Sequence, residues 1–378
     1  MTVRSLAQYH QFPYNNNKNK GSIMKATSTR VIASAVAALA LVAASCGGSD
    51  DTADAPATDA PAATIAAADE PAAEPAAEPA EPMRIGLVAP SAVNDVAWTQ
   101  AMFDSLNRVG QGRDIEIAVT DGTFVVEDAA AAIRGYAEDG FDLVIAHGTQ
   151  YGGPLQEIAT DFPDVSFMIG TSSDFFGIDN IFAYSVEAGE AGYVNGVVAA
   201  QLTESNNIGV VGPVPAGDAK LYIDGFVAGV AAQNPDVKVN VNYIDSFSDV
   251  LLASEAAKAL VGAGADVLTG SAQMVVGAIG VAVEEGVPWL GSQSNQTGLG
   301  EEVVVGSFVY HWEQLLNDVL DKIQAGTLGG EALSISVADG GLELEFNGAF
   351  PLDAAIKAST EATVAGIGDG TIEVPASE

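Results

Sequence analysis

From Arg84 onward, short apolar runs alternate with longer stretches of helical periodicity. The short runs, rich in β-branched residues, predict strands over 85–89, 115–120, 143–146, 166–169, 208–211, 237–243, 267–269 and 288–290. Between them, Ala-rich amphipathic patterns predict helices over 97–109, 126–138, 151–161, 219–233, 250–263 and 274–285. Strand–helix alternation on this scale implies parallel sheets covered on both faces, with right-handed crossovers. A long helical stretch, 188–204, separates two such series and divides the chain into two α/β lobes. A further helix is expected over 311–325. Residues 331–346 (EALSISVADGGLELEF) read as two strands joined at Gly340-Gly341, crossing back between the lobes. The expected domains are an N-terminal lobe at 83–204 with an added helix over about 305–326. A C-terminal lobe at 205–304 takes the strands over about 331–346, and 347–378 forms a C-terminal segment.

Open α/β sheets bind ligands beyond the carboxyl ends of their strands. The loops that qualify are 91–98, 147–153, 170–176, 213–219, 246–249, 270–274 and 291–297, which are rich in Gly, Ser, Asn and Gln. The first holds Asn94-Asp95 and then Trp98. Asp95 suits a helix cap, because a carboxylate accepts from the free amides of a first turn. Trp98 has two readings: a core anchor, or a stacking platform at the cleft.

The segment before Arg84 has a different grammar. Lys25 and Arg30 precede the apolar stretch 31–42, and Ala43-Ala44-Ser45 leads into Cys46. This is the order of a signal peptide, 1–45, whose better-proportioned start is Met24. The apolar stretch is shorter than the ~20 residues of a membrane-spanning helix. Small residues before the single cysteine of the chain resemble a bacterial lipobox, with Ala43 where leucine is more usual. Cys46 is therefore the expected lipidation site, and 46–82, with its AAEPAAEPAEP repeat, a disordered tether. One cysteine also excludes an intramolecular disulfide. A formal charge of −36 argues against nucleic acid or anionic lipid as partners.

Catalytic and cofactor signatures are missing. His10, His147 and His311 are the only histidines and have no metal-ligand spacing around them. Gly212–Lys220 (GPVPAGDAK) starts like a phosphate-binding loop but lacks the Gly-Lys-Ser/Thr step, and no G-x-S-x-G elbow occurs. No cofactor, metal or enzyme activity is implied.

The ordered motifs resemble the PnrA-like basic-membrane-protein (BMP) family of ABC transporter substrate-binding lipoproteins. Asn94-Asp95-Val96-Ala97-Trp98-Thr99-Gln100 matches the family's Asn-Asp-x-x-Phe-Asn-Gln. GFDLVIA at 140–146, ATDFPDVSF at 159–167 and EAGEAGYVNGVVAA at 187–200 follow in order. GFVAGVAAQNP at 225–235, Ser246-Phe247-Ser248-Asp249 and Gly264-Ala265-Asp266-Val267 continue the order in the second half. The resemblance implies a type I periplasmic-binding fold: two doubly wound parallel-sheet lobes around a hinged cleft. It also implies a small, nucleoside-like ligand, an ABC permease with its ATPase as partner, and an extracytoplasmic, lipid-anchored monomer. Implied ligand contacts are Asn94, Asp95, Trp98, Thr99 and Gln100 of the motif, with the base stacked on Trp98. His147, Asp218, Phe247, Asp249 and Gln273 follow in the cleft loops. Gln293 and Asn295 stand where the family commonly carries aspartates, and Tyr310 where it often carries lysine. A ligand-sensing ectodomain with the same fold is the alternative use.

Overall fold

The computed structural model describes residues 81–377. The signal peptide, Cys46 and nearly all of the tether lie outside them. The first series runs β1 (Met83–Val88), α1 (Trp98–Gly110), β2 (Ile115–Thr120), α2 (Val126–Glu138), β3 (Leu143–Ala146), α3 (Gly152–Asp161), β4 (Ser166–Gly170) and β5 (Ile181–Val186). The second runs α4 (Ala188–Leu202), β6 (Asn207–Gly212), α5 (Gly217–Gln233), β7 (Lys238–Tyr243), α6 (Val250–Gly262), β8 (Val267–Gly270), α7 (Val275–Glu285), β9 (Trp289–Gln293) and β10 (Val304–Tyr310). The chain ends with α8 (Glu313–Gln324), β11 (Glu331–Ile335), β12 (Leu342–Phe346) and α9 (Ala354–Gly368).

Two six-stranded sheets result, ordered β11-β5-β4-β3-β1-β2 and β12-β10-β9-β8-β6-β7. Every pairing is parallel except β10 with β12. Strands β3, β4, β9 and β10 are buried at every position, as interior strands covered on both faces must be. Among the described residues, no helix is long and apolar enough to cross a membrane.

Three segments cross between the sheets, and hydrogen bonds tie them together. Glu187 N–H donates to the Ile335 carbonyl at 2.9 Å, and His311 N–H to that of Gly341 at 2.8 Å. The Glu190 carboxylate accepts from Val337 N–H at 2.8 Å. These crossings lie beside β5, β11, β10 and β12, so the hinge occupies one edge of the molecule. β2 and β7 form the opposite edge.

The structure redraws the expected lobes at three points. Helix α4, expected in the first lobe, packs on α5 and reaches β8 and β9 of the second sheet. Glycines make the approach possible: a methyl added at Gly192 would stand 1.9 Å from the Tyr222 carbonyl oxygen, and one at Gly225 2.1 Å from that of Gly189. Asn195 fixes α4 further, donating to Tyr222 Oη at 2.8 Å and to the Gly291 carbonyl at 3.0 Å. Second, the two tail strands part company: β11 adds to the first sheet and β12 to the second. Third, 304–310 is a buried strand, not the start of a helix; α8 begins only at Glu313 and packs on α1. Strand β5 (IFAYSV) was not expected at all.

Candidate functional site

A cavity of about 410 Å³ opens between the strand carboxyl ends of the two sheets, within the usual range for small-molecule sites. All seven loops singled out from the sequence contribute to its wall. Pro90, Trp98, Thr149, Gln150 and Thr171 line it from the first lobe, and Gly217, Asp218, Phe247, Ala272, Gln273 and Gln293 from the second. Phe124, in the loop before α2, also lines it and was not anticipated. Its exposed ring next to Val125 carried no motif, and only its position after the edge strand β2 could have signalled it.

Trp98 is both anchor and wall. Its indole is 6% exposed and lies parallel to the His147 ring, with centroids 4.2 Å apart and planes 4° apart. His147 in turn lies parallel to Tyr184 at 6.0 Å, and the edges of Tyr310 and Trp312 abut the indole at 6.4 and 5.7 Å. Polar bonds lock the stack. Trp98 Nε1–H donates to the His147 carbonyl at 3.1 Å, and His147 Nε2 meets the Trp98 carbonyl at 3.0 Å. A carbonyl only accepts, so Nε2 carries the proton and Nδ1 accepts from Tyr184 Oη at 2.5 Å. Burial pushes the His147 pKa down to about 3, against the pull of the Trp98 carbonyl, so the ring is neutral.

The second lobe supplies acceptors. Asp218, in the first turn of α5, accepts from Gln293 Nε2 at 3.2 Å. Burial raises its pKa, opposed by that bond and by backbone amides. Gln273 and Gln293 each leave Oε1 buried and without a hydrogen-bond partner. Neither Lys nor Arg lines the cavity. Ala272 and Gln293 hold positive φ angles of 75° and 71°, the left-handed region that is strained for a non-glycine residue. The lobes touch beside it. Gln273 Nε2 donates to Ser91 Oγ at 3.1 Å, and Ser294 Oγ to the Ala97 carbonyl at 2.8 Å.

Five of the thirteen anticipated contacts thus converge: Trp98, Asp218, Phe247, Gln273 and Gln293. The other eight lie outside the wall, each for a local reason. Asp95 spends both oxygens on capping α1: Oδ1 accepts from the amides of Ala97 and Gln100, and Oδ2 from Thr99 N–H and Ser91 Oγ–H. Four donors leave it no room for the ribose or base contact expected of it. Asn94 is exposed, Thr99 is buried against Ser91 Oγ at 2.7 Å, and Gln100 accepts from Val96 N–H at 3.0 Å. His147 stands behind Trp98. Asp249 is the N-cap of α6, accepting from Leu252 N–H at 2.9 Å. Asn295 turns outward to Glu345 and Thr297, and Tyr310 is buried beneath the indole.

A family model for PnrA-like ABC transporter substrate-binding proteins (Bmp) matches residues 83–378. The transcriptional activator protein Med of Bacillus subtilis is 25% identical over 248 residues, covering 65% of this chain and 77% of that protein. The ABC transporter nucleoside-binding protein BmpA of Lactococcus lactis is 25% identical over 313 residues, covering 75% of this chain and 86% of that protein. A solved ABC transporter solute-binding protein from Conexibacter woesei superposes with a TM-score of 0.65 at 24% identity, over 78% of this chain and 98% of that one. The architecture is thus the type I periplasmic-binding fold. With the family model spanning nearly all the described residues, the chain belongs to the PnrA-like (Bmp) family of ABC transporter substrate-binding proteins, extracytoplasmic binding proteins rather than enzymes.

Proposed function

We propose that the chain binds an uncharged nucleoside-like ligand in the interlobe cavity and delivers it to an ABC permease. One observation carries the ligand class: an aromatic platform backed by a neutral histidine faces a wall of acceptors with no cation. A base stacked on Trp98 gains roughly 1–3 kcal/mol. Ribose hydroxyls or exocyclic amino groups supply donors for Asp218 and for the unpartnered oxygens of Gln273 and Gln293. Leaving such buried acceptors unpaired costs about 1–3 kcal/mol each. A phosphate would meet the Asp218 carboxylate and no compensating charge. The name of the Lactococcus relative supports the same class.

Thermal denaturation of residues 83–378 with nucleosides, nucleoside monophosphates, bases, sugars and amino acids tests this reading. A nucleoside at 1,000 times its dissociation constant should add about 4 kcal/mol, and its monophosphate much less. Stabilisation by sugars or amino acids alone would reject it. The name of the Bacillus relative favours a sensing role as the second reading. Lost uptake of the stabilising nucleoside in a deletion strain supports transport; normal uptake with altered gene expression supports sensing.

The anchor rests on the sequence around Cys46. Cys46→Ser should move the protein from the membrane to the soluble fraction, because stable attachment needs two or more acyl chains at about 0.8 kcal/mol per CH₂. Unchanged membrane association would exclude lipidation at this residue.

A further inference from the structure

Ser91 stands in the loop between β1 and α1, half-buried and outside the cavity wall. Its hydroxyl meets three partners: Asp95 Oδ2 at 2.6 Å, Thr99 Oγ1 at 2.7 Å and Gln273 Nε2 at 3.1 Å. The proton count fixes each role. A carboxylate oxygen accepts, so the single Ser91 proton goes to Asp95. Both lone pairs of Ser91 Oγ then accept, one from the Thr99 hydroxyl and one from a Gln273 N–H. The opposite amide orientation would press Gln273 Oε1 against Ser91 Oγ with no proton between them. Gln273 therefore turns its nitrogen to the first lobe.

The consequence falls on the cavity. Gln273 lines it, and its Oε1 is buried without a partner. With Nε2 committed to Ser91, that oxygen is the polar atom left for a ligand. The Asp95 cap thus acts on the cavity at second hand, by drawing the Ser91 proton away from Gln273. The same bond joins the lobes. Three side chains of the second lobe reach the 91–98 loop: Gln273 at Ser91, Ser294 Oγ at the Ala97 carbonyl, and Gln296 Nε2 at the Val96 carbonyl. Gln273 follows β8, one strand further from the hinge edge than β9, which precedes Ser294 and Gln296. A hinge rotation moves it further than the other two, so its bond is the first to break on opening.

We infer that Ser91 is a positioning residue that latches the lobes over the ligand and orients the Gln273 amide, so that the ligand group opposite Gln273 is a hydrogen-bond donor. The inference rests on the nucleoside reading above and adds the device that selects among nucleosides. An amide on its own presents oxygen or nitrogen equally well, and discriminates nothing. Held by Ser91, it presents an acceptor alone, and a ligand acceptor at that place leaves two oxygens facing each other. Selection and closure are then one event, because the bond that orients the amide forms only when the lobes meet. Ser91 itself never touches the ligand.

A double-mutant cycle on the full-length chain tests the latch, with adenosine, guanosine, inosine, cytidine and uridine as probes. Ser91→Ala should speed dissociation of the tightest binder by roughly three- to tenfold, the worth of one neutral hydrogen bond. Ser91→Thr keeps the hydroxyl and should restore the slow rate. In a Gln273→Ala background, Ser91→Ala should add nothing, since the partner it acts through is gone. The affinity ratio between the tightest and weakest probe should shrink in Ser91→Ala, because the freed amide can present either atom. Equal acceleration in both backgrounds would mean that Ser91 acts through the Asp95 cap alone, and would overturn the latch. An unchanged affinity ratio would overturn the orienting role. Either result leaves the nucleoside reading standing, whereas binding of none of the probes to the parent would overturn that reading and the inference with it.

Discussion

Trp98→Ala should destabilise the unliganded protein by about 3–5 kcal/mol, the range for removing a large aromatic from a core. The indole is almost wholly buried, and its one donor is satisfied by the His147 carbonyl. Truncation would strip the face of the His147 ring and the edges of Tyr310 and Trp312 together. Ligand affinity should fall at the same time by roughly ten- to hundredfold, because the same ring lines the cavity. Anchor and platform are therefore one structure: the packing that buries the indole also holds its plane rigid for a ligand. Trp98→Phe separates the two contributions. It keeps an aromatic face for stacking but loses the bond from Nε1, so binding should recover more fully than stability. Urea unfolding midpoints and ligand titrations on the three proteins measure both. A Trp98→Ala variant as stable as the parent would show that the stack on His147 does not hold the lobe together.

Strand–helix order was legible because each element repeats its own period, and seven loops at the strand ends all reach the cavity wall. What the pattern hid were two of the strands buried on both faces, β5 and β10. Residues 304–310 alternate nothing, since β9 and β12 flank them while apolar layers cover both sides. Gly306 looks like a break there, yet it is required: a methyl at that position would stand 2.8 Å from the Glu345 carbonyl oxygen. Helix α4 is apolar all round for a similar reason, being wedged between α5, the second sheet and α9, and so its lobe could not be read from one face.

Site residues divide along a different line. A carboxylate at the start of a helix can bind a ligand or cap the helix, and sequence offers both. Asp95 and Asp249 cap, whereas Asp218 lines the cavity from the first turn of α5. The difference lies in loop conformation. Val96 adopts φ 54°, which turns the chain so that Asp95 meets the amides of residues 97, 99 and 100. No residue-type rule foretells that turn. The amides at 273 and 293 were legible as cleft residues, but which of their atoms lack partners depends on Ser91 and Asp218, neither adjacent in sequence.

Acid should weaken the fold through His147 by roughly 4–5 kcal/mol in all, most of it between pH 6.5 and about 3. In the unfolded chain this imidazole takes a proton near pH 6.5, whereas in the fold it stays neutral until about pH 3. Between those values the unfolded state binds more protons, so stability falls as pH falls, by about 1.4 kcal/mol per unit. The contribution is fully present above pH 6.5 and lost by about pH 3. The ring is wholly buried, and solvent does not screen the effect. His311 acts with the opposite sign. The Glu313 carboxylate, 3.6 Å away, raises its pKa, so its stabilisation is complete below pH 6.5 and disappears at higher pH. Glu313 resists protonation: burial opposes its charge, but His311 and Arg108 hold its pKa at about 2. Its own stabilisation thus declines only from about pH 4 downward. His147→Gln isolates the buried ring, since a glutamine amide can donate to the Trp98 carbonyl and accept from Tyr184 without titrating. Urea unfolding at pH 4, 5, 6 and 7 should show the variant less stable at pH 7 but with a shallower decline, by about 1.4 kcal/mol per unit. Ligand affinity over pH 5–8 should not change through His147, because the native ring is uncharged throughout. Parallel pH profiles for the variant and the parent would mean that the imidazole takes its proton inside the fold, and the stack behind Trp98 would have to open to admit it.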